Sequence, residues 1–259
     1  MSGYWNILRH ELFGLFISPA TYVSSFYFLT LLGIGFRFFI EGFARTDWIL
    51  PPLSSLVIGL IFGAPALIPF LTMRSFSEER RLGTLETLMT APIGSVALVL
   101  GKWSASLIFF VLISLLAFCF PLLLWFGFPD QAISLGFNYL EHWVGGFIFL
   151  TVFGASFSAV GIFASSLTKN QMVAGMLTFT LLTLYLAVMA FSFGEYRDIS
   201  APKGVEEFIE ICLGSLNQGL NKAQHFALGI IDLSTILHQL VLAFLFLSFA
   251  TLKIERLKH

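Results

Sequence analysis

The residues best equipped for chemistry lie in one short stretch, Met73 to Pro92, which reads MRSFSEERRLGTLETLMTAP. It holds three basic side chains, Arg74, Arg80 and Arg81, and three acidic ones, Glu78, Glu79 and Glu86. Both signs at helical spacing suit recognition of a polar protein surface, where complementary charges set register and reject wrong partners. The chemistry of reaction centres is not spelled out in the same way. No Ser/His/Asp, Cys/His or paired-carboxylate constellation stands out, and His10, His142, His225, His238 and His259 fall in different segments without metal-ligand spacing. Cys119 and Cys212 show no paired spacing. The Gly101-Lys102 pair precedes Trp103 rather than Ser or Thr, so no phosphate-binding Gly-x-x-x-x-Gly-Lys-Ser/Thr loop is formed. The chain is therefore expected not to be an enzyme.

Local signals shape the charged stretch into a helix. Ser75-Phe-Ser-Glu78 has capping-box spacing, which predicts a helix starting near Phe76. Leu82, Leu85 and Met89 then form one apolar stripe, with Gly83 permitting a bend and Ala91-Pro92 closing the segment. A loop serving topology alone would be basic; the balanced charges here favour a partner surface.

The elements that must position this stretch are membrane helices. Hydrophobic residues make up 57% of the 259, charged residues only 11%, and the mean hydropathy is +0.89, values that exclude an ordinary water-soluble domain. A net charge of -1 leaves no basic footprint for nucleic acid. Apolar runs long enough to cross a bilayer occur at Thr21–Ile40, Leu53–Thr72, Trp103–Trp125, Trp143–Leu167, Gln171–Phe193 and Leu233–Leu252. Six spans put both termini on one side. With that side cytoplasmic, nine basic residues lie inside (Arg9, Arg74, Arg80, Arg81, Lys102, Lys169, Lys253, Arg256, Lys258) and five outside (Arg37, Arg45, Arg197, Lys203, Lys222), as the positive-inside rule requires. Trp48, Trp125 and Trp143 fall at outer span ends, and Trp5 and Trp103 near inner ends.

Residues 3–17 read as an interfacial helix, with Tyr4, Leu8, Leu12 and Leu15 on one face and Asn6, Arg9 and His10 on the other. It ends at Ser18-Pro19, where proline fits the first turn of a new helix. The second span carries Gly59-x-x-x-Gly63 with Pro65 and Pro69, predicting close packing and a kink just before the charged stretch. The fourth span carries the small-residue stripe Gly154, Ser158, Gly161 and Ser165, read as a packing face. Arg37, with Glu41 one turn on, reads as a snorkelling anchor, and Lys102 as an anchor at the inner end of span three. The largest non-spanning stretch, residues 194–232, has Val205, Phe208, Ile209 and Cys212 on one helical face and Glu206, Glu207 and Glu210 on another, a surface for gating or for an accessory outer-face protein. No linker or repeat divides the chain, so residues 1–259 form a single domain.

The order Arg74, Phe76, Glu78, Glu79, Arg80, Gly83-Thr84, Glu86, Leu88 and Pro92 resembles the signature of type-2 ABC transporter permeases, in particular the GldF-like gliding-motility branch. Arg9 to Leu12, Ser18-Pro19 with Tyr22, His225-Phe226 and Gly229 to Asp232 resemble the same family at the two ends. The resemblance implies an all-α polytopic permease with an amphipathic entry helix and six transmembrane helices. It would be paired as a homodimer or with a second permease in the bacterial cytoplasmic membrane, and bound to an ATP-binding cassette ATPase subunit. ATP and Mg would sit on that partner, with no cofactor in this chain. Segment 74–90 would be the cytoplasmic coupling helix between spans two and three, with Glu78, Glu79, Arg80, Arg81, Gly83, Thr84 and Glu86 as the ATPase contact and Glu79, Arg80 and Glu86 as its charged members. The activity implied is ATP-driven transport, with export the expected direction. The rival reading is a non-transporting membrane anchor or force-transmitting component of a motility or secretion complex.

Overall fold

The computed structural model describes residues 2–45, 52–85, 94–128, 137, 139–191, 226 and 228–257. Among them the regular elements are all helical: α1 (Ser2–Ile17), α2 (Pro19–Arg45), α3 (Pro52–Thr72), α4 (Ser77–Leu82), α5 (Ser95–Ala117), α6 (Cys119–Gly127), α7 (Leu140–Leu167), α8 (Gln171–Phe191) and α9 (Leu233–Arg256). Six are long and apolar enough to cross a bilayer: α2, α3, α5 continued by α6, α7, α8 and α9. The protein is an all-helical, polytopic membrane protein. Helices satisfy every backbone polar group internally, which is what a segment in hydrocarbon requires.

The bundle is organised around α7, which packs against α3, α5, α8 and α9. In its most apolar window 72% of residues are buried, against 22% in α2, α8 and α9, so α7 is the central post and the others present one side to lipid. The main core joins Phe28 and Phe36 of α2, Leu56, Leu60 and Leu67 of α3, Phe110 of α5 and Phe149, Phe153 and Phe157 of α7. A second, smaller core at the α4 end joins Ile7 of α1, Phe76, Val99 of α5, Ile162 of α7 and Ala250 of α9.

Several expectations are met closely. α1 ends at Ile17 and α2 opens on Pro19. α3 packs along α2, and a Cβ on Gly63 would come 2.6 Å from the Phe28 ring, so the absent side chain is what allows the approach. Its helix runs through both Pro65 and Pro69. Arg37 Nε donates to Glu41 Oε1 at 3.0 Å, one turn on and exposed. Trp48, Leu88, Met89, Pro92, His225 and the predicted helix with Val205 to Cys212 lie outside the described residues.

The start of the third span departs from expectation. Its helix begins at Ser95 rather than Trp103, so Lys102 and Trp103 lie two turns inside it. The hydropathy pattern broke at Lys102, but the chain does not, because that charge is neutralised by residues distant in sequence.

Candidate functional site

The charged stretch leaves α3 through a turn at Met73 to Phe76 and forms α4, which packs against α7 and α8. The expected capping box is not made. No side chain caps α4 from its own N-cap residue, Phe76, and Ser75 is buried. The cap comes from α7 instead: the Ser165 hydroxyl accepts from the Phe76 and Ser77 amides at 3.0 and 3.2 Å. Ser77 Oγ bonds back to the Met73 carbonyl. Arg80 Nη1 donates to the Ser166 carbonyl at 2.6 Å, where α7 is ending and its last carbonyls lack helical partners.

Gly83 stops α4 with φ +73, a left-handed conformation that glycine adopts without steric cost. The expected Leu82, Leu85, Met89 stripe is therefore interrupted: Leu85 is buried while Leu82 is 63% exposed. The buried side of the segment is Phe76, Ser77 and Leu85, and its rim is Arg81, Leu82, Gly83 and Thr84. Glu78 sits half-buried beside Arg81, 3.9 Å apart, and Thr84 Oγ1 reaches the Glu79 carbonyl at 3.4 Å. Glu86 lies outside the described residues.

Glu79 turns inward onto Lys102, with Oε1 2.7 Å from Nζ. Lys102 also donates to Glu11 Oε1 of α1 and lies over the Phe76 ring, 5.2 Å from its centroid. Its side chain is 1% exposed. Lys102 is thus not an anchor at the membrane boundary; it is a buried cation held by two carboxylates from separate elements. Burial pushes the Glu79 carboxyl above its usual range, a push that the Lys102 ammonium opposes. The second Glu79 oxygen, Oε2, is buried and has no hydrogen-bond partner among the described residues.

α1 reaches this point because its buried face is wider than its apolar stripe. Ile7 and Leu8 are buried and Glu11 falls on the same face, while Asn6, Arg9 and His10 are exposed as expected. Sequence reasoning missed Glu11, Lys102 and Ser165 as members of this site. The only available signal was a lysine inside a segment that proved helical on both sides.

Beyond the site, an apolar recess of about 890 Å³ lies between α2, α3 and α8, walled by Val23, Tyr27, Pro69, Phe70, Met176 and Phe179.

An all-helical bundle with a short charged helix rooted between two of its spans defines a polytopic membrane protein. The chain belongs to the ABC-2 family of transporter proteins, whose family model matches residues 40–211, well over half of its length. It is accordingly a membrane transporter permease. The match spans α4, Lys102 and Ser165, whereas α1 and Glu11 precede it. A comparison with curated proteins returned no match.

Proposed function

We propose that the chain is the membrane-spanning permease subunit of an ATP-driven exporter, with ATP and Mg bound and hydrolysed by a separate cassette ATPase. In this reading the α4 end and both termini face the cytoplasm, as the nine-to-five distribution of basic residues favours. The stretch Glu78 to Glu86 is the coupling contact, with Arg81, Leu82, Gly83 and Thr84 outermost and Glu79 and Arg80 rooting it in the bundle. The apolar recess between α2 and α8 supports pairing with a second permease copy.

The observation that carries the reading is the asymmetry of α4. One side is fastened to α5 and α7 by an ion pair and three hydrogen bonds, while the other side offers an exposed arginine, an exposed leucine and a glycine turn. Exposed charge beside exposed apolar surface is the composition of an interface rim and anchor.

The test is co-purification, in mild detergent, with the cassette ATPases encoded nearest the gene. Reversing the rim with Arg81→Glu and Leu82→Asp leaves every buried contact of α4 in place, and is expected to reduce ATPase capture about tenfold or more. Undiminished capture by this variant would remove the rim from the contact. Failure of the wild type to capture any of these ATPases would overturn the ATP-driven reading and leave a non-transporting anchor.

A further inference from the structure

Lys102 joins three elements that the chain itself leaves far apart. Its ammonium binds Glu11 of α1 and Glu79 of α4 while its backbone belongs to α5. The junction is built rather than accidental. Gly101 adjoins it, and a Cβ there would come 2.8 Å from Ile7 Cγ2 and 3.6 Å from the Leu8 amide nitrogen, so α1 lies on α5 at the one place where α5 has no side chain to hold it off. One turn away Tyr4 Oη and Ser104 Oγ are 2.9 Å apart, fixing the rotation of α1 on α5. Phe76 is fully buried against the same lysine, and Ile7, Phe76 and Val99 share one small core.

Charge sharpens the argument. A buried lysine needs one carboxylate for neutrality, and Glu79 alone supplies it. Glu11 adds a second carboxylate and makes the cluster acidic by one. With it comes a connection between α1 and α4, whose backbones are not joined within the cluster.

We propose that Lys102 and Glu11 are positioning residues that clamp α1 to the α4 segment, so that displacement of α4 moves α1 and α5 together instead of passing only along the chain into α3. The consequence for transport rests on the coupling role proposed above; the clamp itself does not. α1 is a helix with one face on α5, where Phe16 meets Phe109 edge to face, and the other, with Trp5 and Phe13, exposed. Clamped in this way, it becomes a second output of the coupling segment at the membrane surface.

Glu11→Gln isolates the idea. Glutamine has the shape of glutamate, so packing is kept, and the Lys102–Glu79 pair stays complete; only the charged link to α1 is lost. In the isolated permease, amide hydrogen exchange of Ser77 to Leu82 is expected to quicken about fivefold in Glu11→Gln. Glu11→Asp, which keeps the carboxylate, should recover much of the protection. Faster exchange confined to α1, with Ser77 to Leu82 unchanged, would overturn the clamp. A second arm uses the permease with its ATPase. A fluorophore on Asn6→Cys, in a background with Cys119 and Cys212 replaced by serine, should change emission when the complex is locked with a non-hydrolysable ATP analogue. Glu11→Gln should abolish that change while ATPase capture persists, and an unaltered change would refute the transmission. If the wild type captures no ATPase, the coupling reading falls and the exchange experiment still decides the clamp.

Discussion

The two halves of α7 hold their neighbours by different means. Toward the α4 end, Ser165 and Ser166 bind α4 through a hydroxyl and a carbonyl, and the nearby Lys102 cluster adds ion pairs. In the body of the bundle α7 instead presents Phe149, Phe153 and Phe157. Phe149 packs on Phe226, Phe153 lies between its two helix neighbours, and Phe157 meets Tyr185 edge to face. Lipid supplies no hydrophobic drive between helices, so the body coheres mainly by shape and dispersion, with buried polar links such as the one in which Gln239 of α9 joins Ser156 of α7 to Tyr185 of α8. The α4 end relies on directional contacts, each with a defined partner. The body should therefore be sensitive to volume and the α4 end to the loss of single polar atoms.

The largest effect is expected where directional contacts meet full burial. Lys102→Met keeps the length of the side chain but leaves Glu11 and Glu79 facing each other without a cation. Breaking a buried charge pair costs about 3–5 kcal/mol, and here two carboxylates are stranded at once. Thermal unfolding of the detergent-solubilised protein, followed by size-exclusion chromatography after heating, should show a large drop in apparent Tm. Adding Glu11→Gln and Glu79→Gln should restore most of it by removing the stranded charges. A Lys102→Met protein as stable as the wild type would mean that the cluster does not behave as buried, and the contrast between the two ends would dissolve.

The phenylalanine-lined part of the body should respond next, and chiefly to size. A Cβ on Gly154 would lie 2.5 Å from Phe110 Cδ1 and 2.6 Å from its Cε1, where α7 meets α5. Gly154→Leu should cost about 1–3 kcal/mol by overpacking, while Gly154→Ser should cost clearly less, although it brings in a polar group. If the serine variant proved the worse of the two in the same heating assay, polarity rather than volume would govern the body.

This contrast also decides what was legible in the sequence. The body was readable because its determinants are local: apolar length gives the spans, Ser18-Pro19 the break between α1 and α2, and Gly59-x-x-x-Gly63 a packing face that meets Phe28. The site was readable only as a charged stretch. Its cap lies 88 and 89 residues away on Ser165, and Lys102 is 91 residues from Glu11 and 23 from Glu79, so no window along the chain contains both partners. Ser75 to Glu78 had the right types for a local capping box, but the distant serine took its place. Lys102 looked like a span boundary because a lone lysine in an apolar run is costly. Only the fold reveals that it is not alone.

Ser165 offers the smallest effect and the finest resolution of the comparison. Its hydroxyl receives two amides, those of Phe76 and Ser77, at the start of a helix only six residues long. Ser165→Ala should cost about 1 kcal/mol in global stability, the usual magnitude for a lost cap. The loss should be concentrated locally, because α4 has too few residues to hold itself and depends on what it docks against. Exchange at Phe76 and Ser77 should rise well before any change appears in α7 or α9. Ser165→Thr, which keeps the hydroxyl, should protect those amides if the added methyl is accommodated. If instead Ser165→Ala loosened α7 as a whole, the serine would belong to the packing of the body, and the small-residue stripe on α7 would have one role along its length rather than two.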